Sequence, residues 1–203
     1  MRRRLLLILA VGAVLSLGAV VLASRHRHRP AVQLPPSAVS LVGDSLNVGI
    51  EQDLRDLLPR WRVDTDDEIG RSTATGLDHL RRAGGSLAPY VVVSLGTNDP
   101  ASEVDAFRAD VTEAFRIAGP RRCVVWATIH RDGGAYDAFN EVLRAVAARN
   151  RNVRLIEWAE MIGRHPTWLA SDGIHGSPDG YAVRAAAVVE AIRSCRQAGI
   201  GGP

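Results

Sequence analysis

Five short runs that read as strands, each separated from the next by a stretch of helical periodicity, constrain this 203-residue chain more than any other feature. Residues 38–42, 90–95 and 123–129 are short and rich in β-branched side chains, as strands are, and residues 61–64 and 153–156 read as two further short strands. Between them lie Val48, Ile50, Leu54, Leu57 and Leu58, which recur at helical spacing until Pro59, and then residues 74–83, 102–118 and 136–149. A last helix is expected over residues 177–195. Strand–helix alternation with short connections implies a parallel sheet covered by helices on both faces. The expectation is a single three-layer α/β/α domain with a five-stranded parallel sheet over residues 38–197, followed by a flexible tail at 198–203.

The front of the chain is different in kind. Residues 5–23 are uninterruptedly apolar or small and follow Arg2, Arg3 and Arg4. That run is long enough to cross a bilayer and longer than an ordinary signal-peptide core. Residues 1–24 therefore read as an N-terminal signal anchor, one helix tethering the domain to the membrane. The small-residue character of Val21-Leu22-Ala23 keeps a cleaved, secretory signal as the alternative. Three arginines stand on each side of the run, so the positive-inside rule gives no orientation. Residues 25–37 form an Arg/His/Pro linker. His26 and His28 alternate with arginines that would repel a metal cation, so this stretch reads as a basic collar.

All 25 basic residues are arginine, and six of them precede Pro30, where there is no acidic residue. The rest of the chain has 19 arginines against 22 acidic residues. The basic balance thus belongs to the leader, and nucleic acid is not an expected partner of the folded part.

The chemistry-bearing residues fall where strands are expected to end and helices to begin, which is where ligands collect in open α/β sheets. Gly43-Asp44-Ser45-Leu46 follows the first strand. Gly70, flanked by Arg71 and Ser72, lies in the loop after the second. Asn98 lies in Gly96-Thr97-Asn98-Asp99 after the third, and Asp172-Gly173-Ile174-His175 precedes the last helix. Taken alone, Asp44 or Ser45 is simply a helix cap and Asn98-Asp99 a turn. Together they supply what acyl transfer to serine requires: Ser45 as nucleophile, His175 as base and Asp172 to orient it. The amides of Ser45 and Gly70 and the Asn98 carboxamide are candidate oxyanion donors.

These four blocks resemble those of the SGNH hydrolases, also called GDSL-type esterases and lipases, centred on Ser, Gly, Asn and His. The resemblance covers nearly the whole domain. It implies a flavodoxin-like fold, catalytic Ser45, Asp172 and His175, an oxyanion hole from Ser45, Gly70 and Asn98, and neither metal nor cofactor. Residues 152–158, Trp168 and Asp172 to His175 further resemble the extracytoplasmic SGNH domains of bacterial cell-wall O-acetyltransferases, with Glu157 where those often have Asp.

The expected activity is hydrolysis of an O-acyl ester through an acyl-enzyme, on an acylated small molecule, lipid or cell-envelope glycan. The alternative is O-acyl transfer to an envelope polysaccharide. A non-catalytic envelope-binding module would predict a damaged triad, which the sequence does not show.

Among other candidates, Arg71 is placed to meet an anionic substrate, although a solvated arginine is the simpler reading. His130 ends a strand and is a candidate pocket residue, Trp168 a candidate apolar lip, His79 a surface histidine, His165 a rim residue and Trp126 core. Cys123 opens the fourth strand. The last helix returns Cys195 by roughly 27 Å to the same far end of the sheet, which predicts a Cys123–Cys195 disulfide and an exported domain.

Overall fold

The computed structural model describes residues 37–202. The expected signal anchor and most of the linker lie outside the described residues. Among those described, no helix is long and apolar enough to cross a membrane.

Five strands, β1 (Ala38–Gly43), β2 (Arg62–Asp67), β3 (Tyr90–Ser94), β4 (Cys123–Ala127) and β5 (Val153–Ile156), form one sheet in the order β2-β1-β3-β4-β5. Every pairing is parallel. β3, up to its terminal Ser94, and β4 are apolar because both of their faces are buried. Tyr90, Val92, Cys123 and Val125 enter one core, while Val91, Val93, Val124 and Trp126 enter the other.

The first of these cores is closed by α2 (Glu51–Leu57), α6 (Trp158–Arg164) and α7 (Pro178–Gln197), through residues such as Leu54, Trp158 and Val188. The second is closed by α3 (Thr73–Ala83), α4 (Val104–Ala118) and α5 (Asp137–Arg149), through Leu77, Phe107 and Phe139. Phe107 and Phe139 stack with ring centroids 4.1 Å apart. The three-layer α/β/α sandwich with five parallel strands is therefore as expected.

Several boundaries differ. The first helix is two pieces, α1 (Ser45–Val48) and α2, separated at Gly49 and Ile50. A Cβ on Gly49 would lie 2.2 Å from the Tyr181 ring, so α7 packs against the break. β2 continues to Asp67, three residues beyond the expected strand, because it pairs with β1 along its whole length. Only Val63 of β2 is buried, so an edge strand of this kind leaves little apolar signal. The short helix α6 was not expected. The tail is not loose up to Gly201: Ile200 is buried, and the Gly201 amide donates to the Arg121 carbonyl at 3.2 Å. Cys123 and Cys195 form a disulfide with Cα atoms 6.1 Å apart.

Candidate active site

Parallel pairing sends the C-terminal ends of β1, β2 and β3 to one edge. Asp44, immediately after β1, is the N-cap of α1, and its Oδ1 accepts the Leu46 amide at 3.0 Å. The capping role thus falls to Asp44, and the Ser45 hydroxyl, in the first turn of α1, is left for another partner. That partner is His175, whose Nε2 lies 2.8 Å from Ser45 Oγ. His175 Nδ1 lies 2.7 Å from Asp172 Oδ2.

The tight turn between Asp172 and His175 is made by Gly173, whose φ is +71°. A side chain there would be strained, and its Cβ would lie 2.5 Å from Asp132 Oδ2. The turn is pinned from outside by the Asp132 amide donating to the Gly173 carbonyl at 2.8 Å. It is pinned from within by the Ile174 and His175 amides, each donating to Asp172 Oδ1 at 2.9 Å. These two amides and the His175 ring hold the Asp172 carboxyl down at about 2, with the His175 amide the largest influence. An ionised carboxylate only accepts, so Nδ1 carries the imidazole proton and Nε2 presents a lone pair to the Ser45 hydroxyl.

Contacts of Asn98 tie the loop after β3 to the turn after β2 and to Asp44. Gly70, with φ +80°, lies in the turn after β2. The next residue, Arg71, accepts the Asn98 carboxamide Nδ2 through its carbonyl at 3.1 Å. Asn98 Nδ2 also reaches Asp44 Oδ2 at 3.4 Å. The Asn98 and Gly70 loops are clamped by a residue that the sequence reading did not assign. Asp99 accepts the Thr73 amide at 3.0 Å and the Thr73 hydroxyl, tying its loop to the start of α3.

Arg71 needs correction. Its side chain is buried, not solvated, and faces inward: Nη2 donates to Asp66 Oδ1 at 3.0 Å and to Glu68 Oε2 at 3.4 Å, and Nη1 donates to the Asp66 carbonyl. It closes the turn after β2 and is not free to receive a substrate anion. His79 is likewise engaged, with Nδ1 2.6 Å from Asp66 Oδ2. Burial works to raise the Asp66 pKa, but His79 and Arg71 outweigh it and hold that carboxyl low.

His130, part-buried, pairs with Asp132 at 3.1 Å. Trp168 is half-buried and stacks on His165 at 4.1 Å between centroids. Its carbonyl accepts the Ser177 amide at 2.8 Å, which places it on the segment leading to α7. Trp126 is fully buried, as expected. Among the described residues, no group of three or more His, Cys, Asp or Glu side chains is placed to hold a metal ion.

One buried charge close to Asp44 is not among the sequence-based candidates. Arg184 is 2% exposed, and its Nη2 donates to Ser94 Oγ at 3.0 Å. The signal was available, since Arg184 shares a helical stripe with Tyr181, Ala185, Val188, Ile192 and Cys195. An arginine inside an otherwise apolar stripe is a buried charge.

This is the fold of the SGNH, or GDSL-type, hydrolases. Among solved structures, the chain is similar to the C-terminal catalytic domain of Streptococcus pneumoniae peptidoglycan O-acetyltransferase A, with TM-score 0.67 and 16% identity over 80% of this chain and 96% of that one. It is also similar to a member of the lipolytic G-D-S-L family from Veillonella parvula, with TM-score 0.65 and 16% identity over 77% and 97% of the two chains. In sequence it is 26% identical over 161 residues to YrhL of Bacillus subtilis strain 168, provisionally named a peptidoglycan O-acetyltransferase. That match covers 77% of this chain, which spans about a quarter (24%) of the length of YrhL. No family model matches the chain.

Proposed function

We propose that this domain is a serine acyl-transfer enzyme that cleaves an O-acyl ester through a covalent intermediate on Ser45. The observation that carries the reading is the continuous relay from Ser45 Oγ to His175 Nε2 at 2.8 Å and from His175 Nδ1 to Asp172 at 2.7 Å. As Ser45 Oγ bonds to the ester carbonyl carbon, its proton passes to His175 Nε2, and Asp172 stabilises the imidazolium. The developing oxyanion is received by the amides of Ser45 and Gly70 and by Asn98. The Asn98 carboxamide is held beside the nucleophile turn by Nδ2, which donates to the Arg71 carbonyl at 3.1 Å and lies 3.4 Å from Asp44 Oδ2. His175 then returns its proton to the departing alcohol, leaving acyl-Ser45.

In the esterase reading, water activated by His175 takes the acyl group. In the second reading, a sugar hydroxyl of a cell-envelope glycan takes it. The names of YrhL and of the pneumococcal domain favour that acceptor. Both readings place the domain outside the cytoplasm, supported by the disulfide and by the apolar run at residues 5–23.

The test follows acetate release and acetyl transfer from one activated acetyl ester, with and without peptidoglycan oligosaccharide, using Ser45→Ala as control. Both products should depend on Ser45, with loss of several orders of magnitude in the variant. Oligosaccharide that diverts acetyl from water supports the transferase, and undiverted acetate release supports the esterase. Full turnover by folded Ser45→Ala would overturn the mechanism.

A further inference from the structure

Asp44 is wholly buried, and every atom that meets its carboxylate is a donor. Oδ1 accepts the Leu46 amide at 3.0 Å and the Ser94 hydroxyl at 3.3 Å, and Oδ2 faces Asn98 Nδ2 at 3.4 Å. The anion is the form that can accept from all three at once. Burial alone favours the neutral form. The charge that opposes burial comes from α7. Arg184 is fully buried, its guanidinium carbon lies 4.9 Å above the Trp158 ring, and Nη2 donates to the same Ser94 hydroxyl. Nη1 has no hydrogen-bond partner. A guanidinium left partly unsatisfied in the interior is costly unless its charge is used.

We infer that Arg184 is a positioning residue: through its charge and through Ser94 it keeps Asp44 anionic, and anionic Asp44 holds the Leu46 amide and the Asn98 carboxamide in register beside Ser45. This rests on the reading of Ser45 as nucleophile. The ionisable groups acting around Asp44 are Arg184 and Tyr181 from α7 and Asp67 from β2. Burial is the largest influence and leaves the Asp44 pKa above the ordinary carboxylate value, while the Leu46 amide, Arg184 and Ser94 limit that rise. Burial also lowers Arg184, but to about 10, so it is still a cation at neutral pH.

The experiment measures kcat, KM and their pH profiles on a short activated ester for the wild type, Arg184→Met, Arg184→Lys and Ser45→Ala. Arg184→Met should lower kcat about 10- to 100-fold, the scale of a small misplacement of catalytic groups, with KM nearly unchanged. Its acid limb should move up by about one pH unit or more, because Asp44 now protonates more readily. Arg184→Lys should restore most of kcat and return the limb toward the wild-type position. Wild-type kcat and limb in Arg184→Met would overturn the inference. So would a lowered kcat with an unmoved limb and no rescue by lysine, which is the pattern of lost packing. Should Arg184→Met not fold, Ser94→Ala decides by the same readouts: a raised limb with lowered kcat supports the relay, and a wild-type profile overturns it. Activity persisting in Ser45→Ala would instead remove the underlying mechanism, a separate outcome.

Discussion

Asp67 and Asp172 carry the same functional group in opposite surroundings. Asp172 is exposed, but two backbone N–H groups and an imidazole hold it at about 2. What it adds to stability is present above the unfolded carboxyl range and is lost as pH falls toward that value. Asp67 ends β2 with one oxygen accepting the Asn47 carboxamide Nδ2 at 3.1 Å and the other buried without a partner. Burial, reinforced by Glu51, raises it to about 7. For a carboxyl raised in the folded state the sign reverses. The folded protein binds the proton more tightly, so stability falls as pH rises from about 4 to about 7.

Asp67→Asn should therefore flatten the dependence of Tm on pH. Between about pH 5 and pH 8 the loss should shrink by on the order of 1 kcal/mol, about 2–4 °C for a domain of this size. Thermal melts at both pH values check this, and an unchanged slope would count against it. Asp172 was legible from sequence because a three-residue spacing with a central glycine describes its turn. Asp67 was not, because nothing in Asp66-Asp67-Glu68 says which carboxylate turns in toward Asn47 of α1.

At the scale of elements, the clearest reading came from strands buried on both faces. β4 and β3 up to Ser94 are continuous apolar runs, and their ends locate Asn98 and Cys123. β2 was cut short because its outer half is polar and is held by pairing with β1. α6 was missed although Trp158, Met161 and Ile162 have helical spacing, since seven residues between polar loops give too short a period to stand out. The placement of Arg71 failed for a different reason. Adjacent sequence cannot say whether an arginine faces water or turns back to carbonyls and carboxylates of its own loop.

The disulfide is where topology carried the reading furthest. It joins the first residue of β4 to the last turns of α7 across a separation of 72 residues. The chain-entropy account gives about 4 kcal/mol for a loop of that length. Cys123→Ala/Cys195→Ala should lower the unfolding free energy by about 2–4 kcal/mol, read by chemical denaturation. A midpoint equal to that of the oxidised wild type would show that the bridge adds nothing.

Across the whole molecule, one architectural fact organises the rest. A parallel sheet sends its strand ends, with the loops that follow, to one edge, so residues as distant in sequence as Ser45 and His175 meet there. The disulfide and the packed tail secure the other end, where Gly201 meets Arg121 ahead of β4. The central claim is that Ser45 carries the acyl group between donor and acceptor. Mass spectrometry of protein quenched in acid during turnover of a short activated ester tests it most directly. A single acyl increment is expected on the peptide containing Ser45, decaying as ester is exhausted and absent from Ser45→Ala. Steady turnover with no acylated Ser45, or an acyl group carried at a different residue, would contradict it.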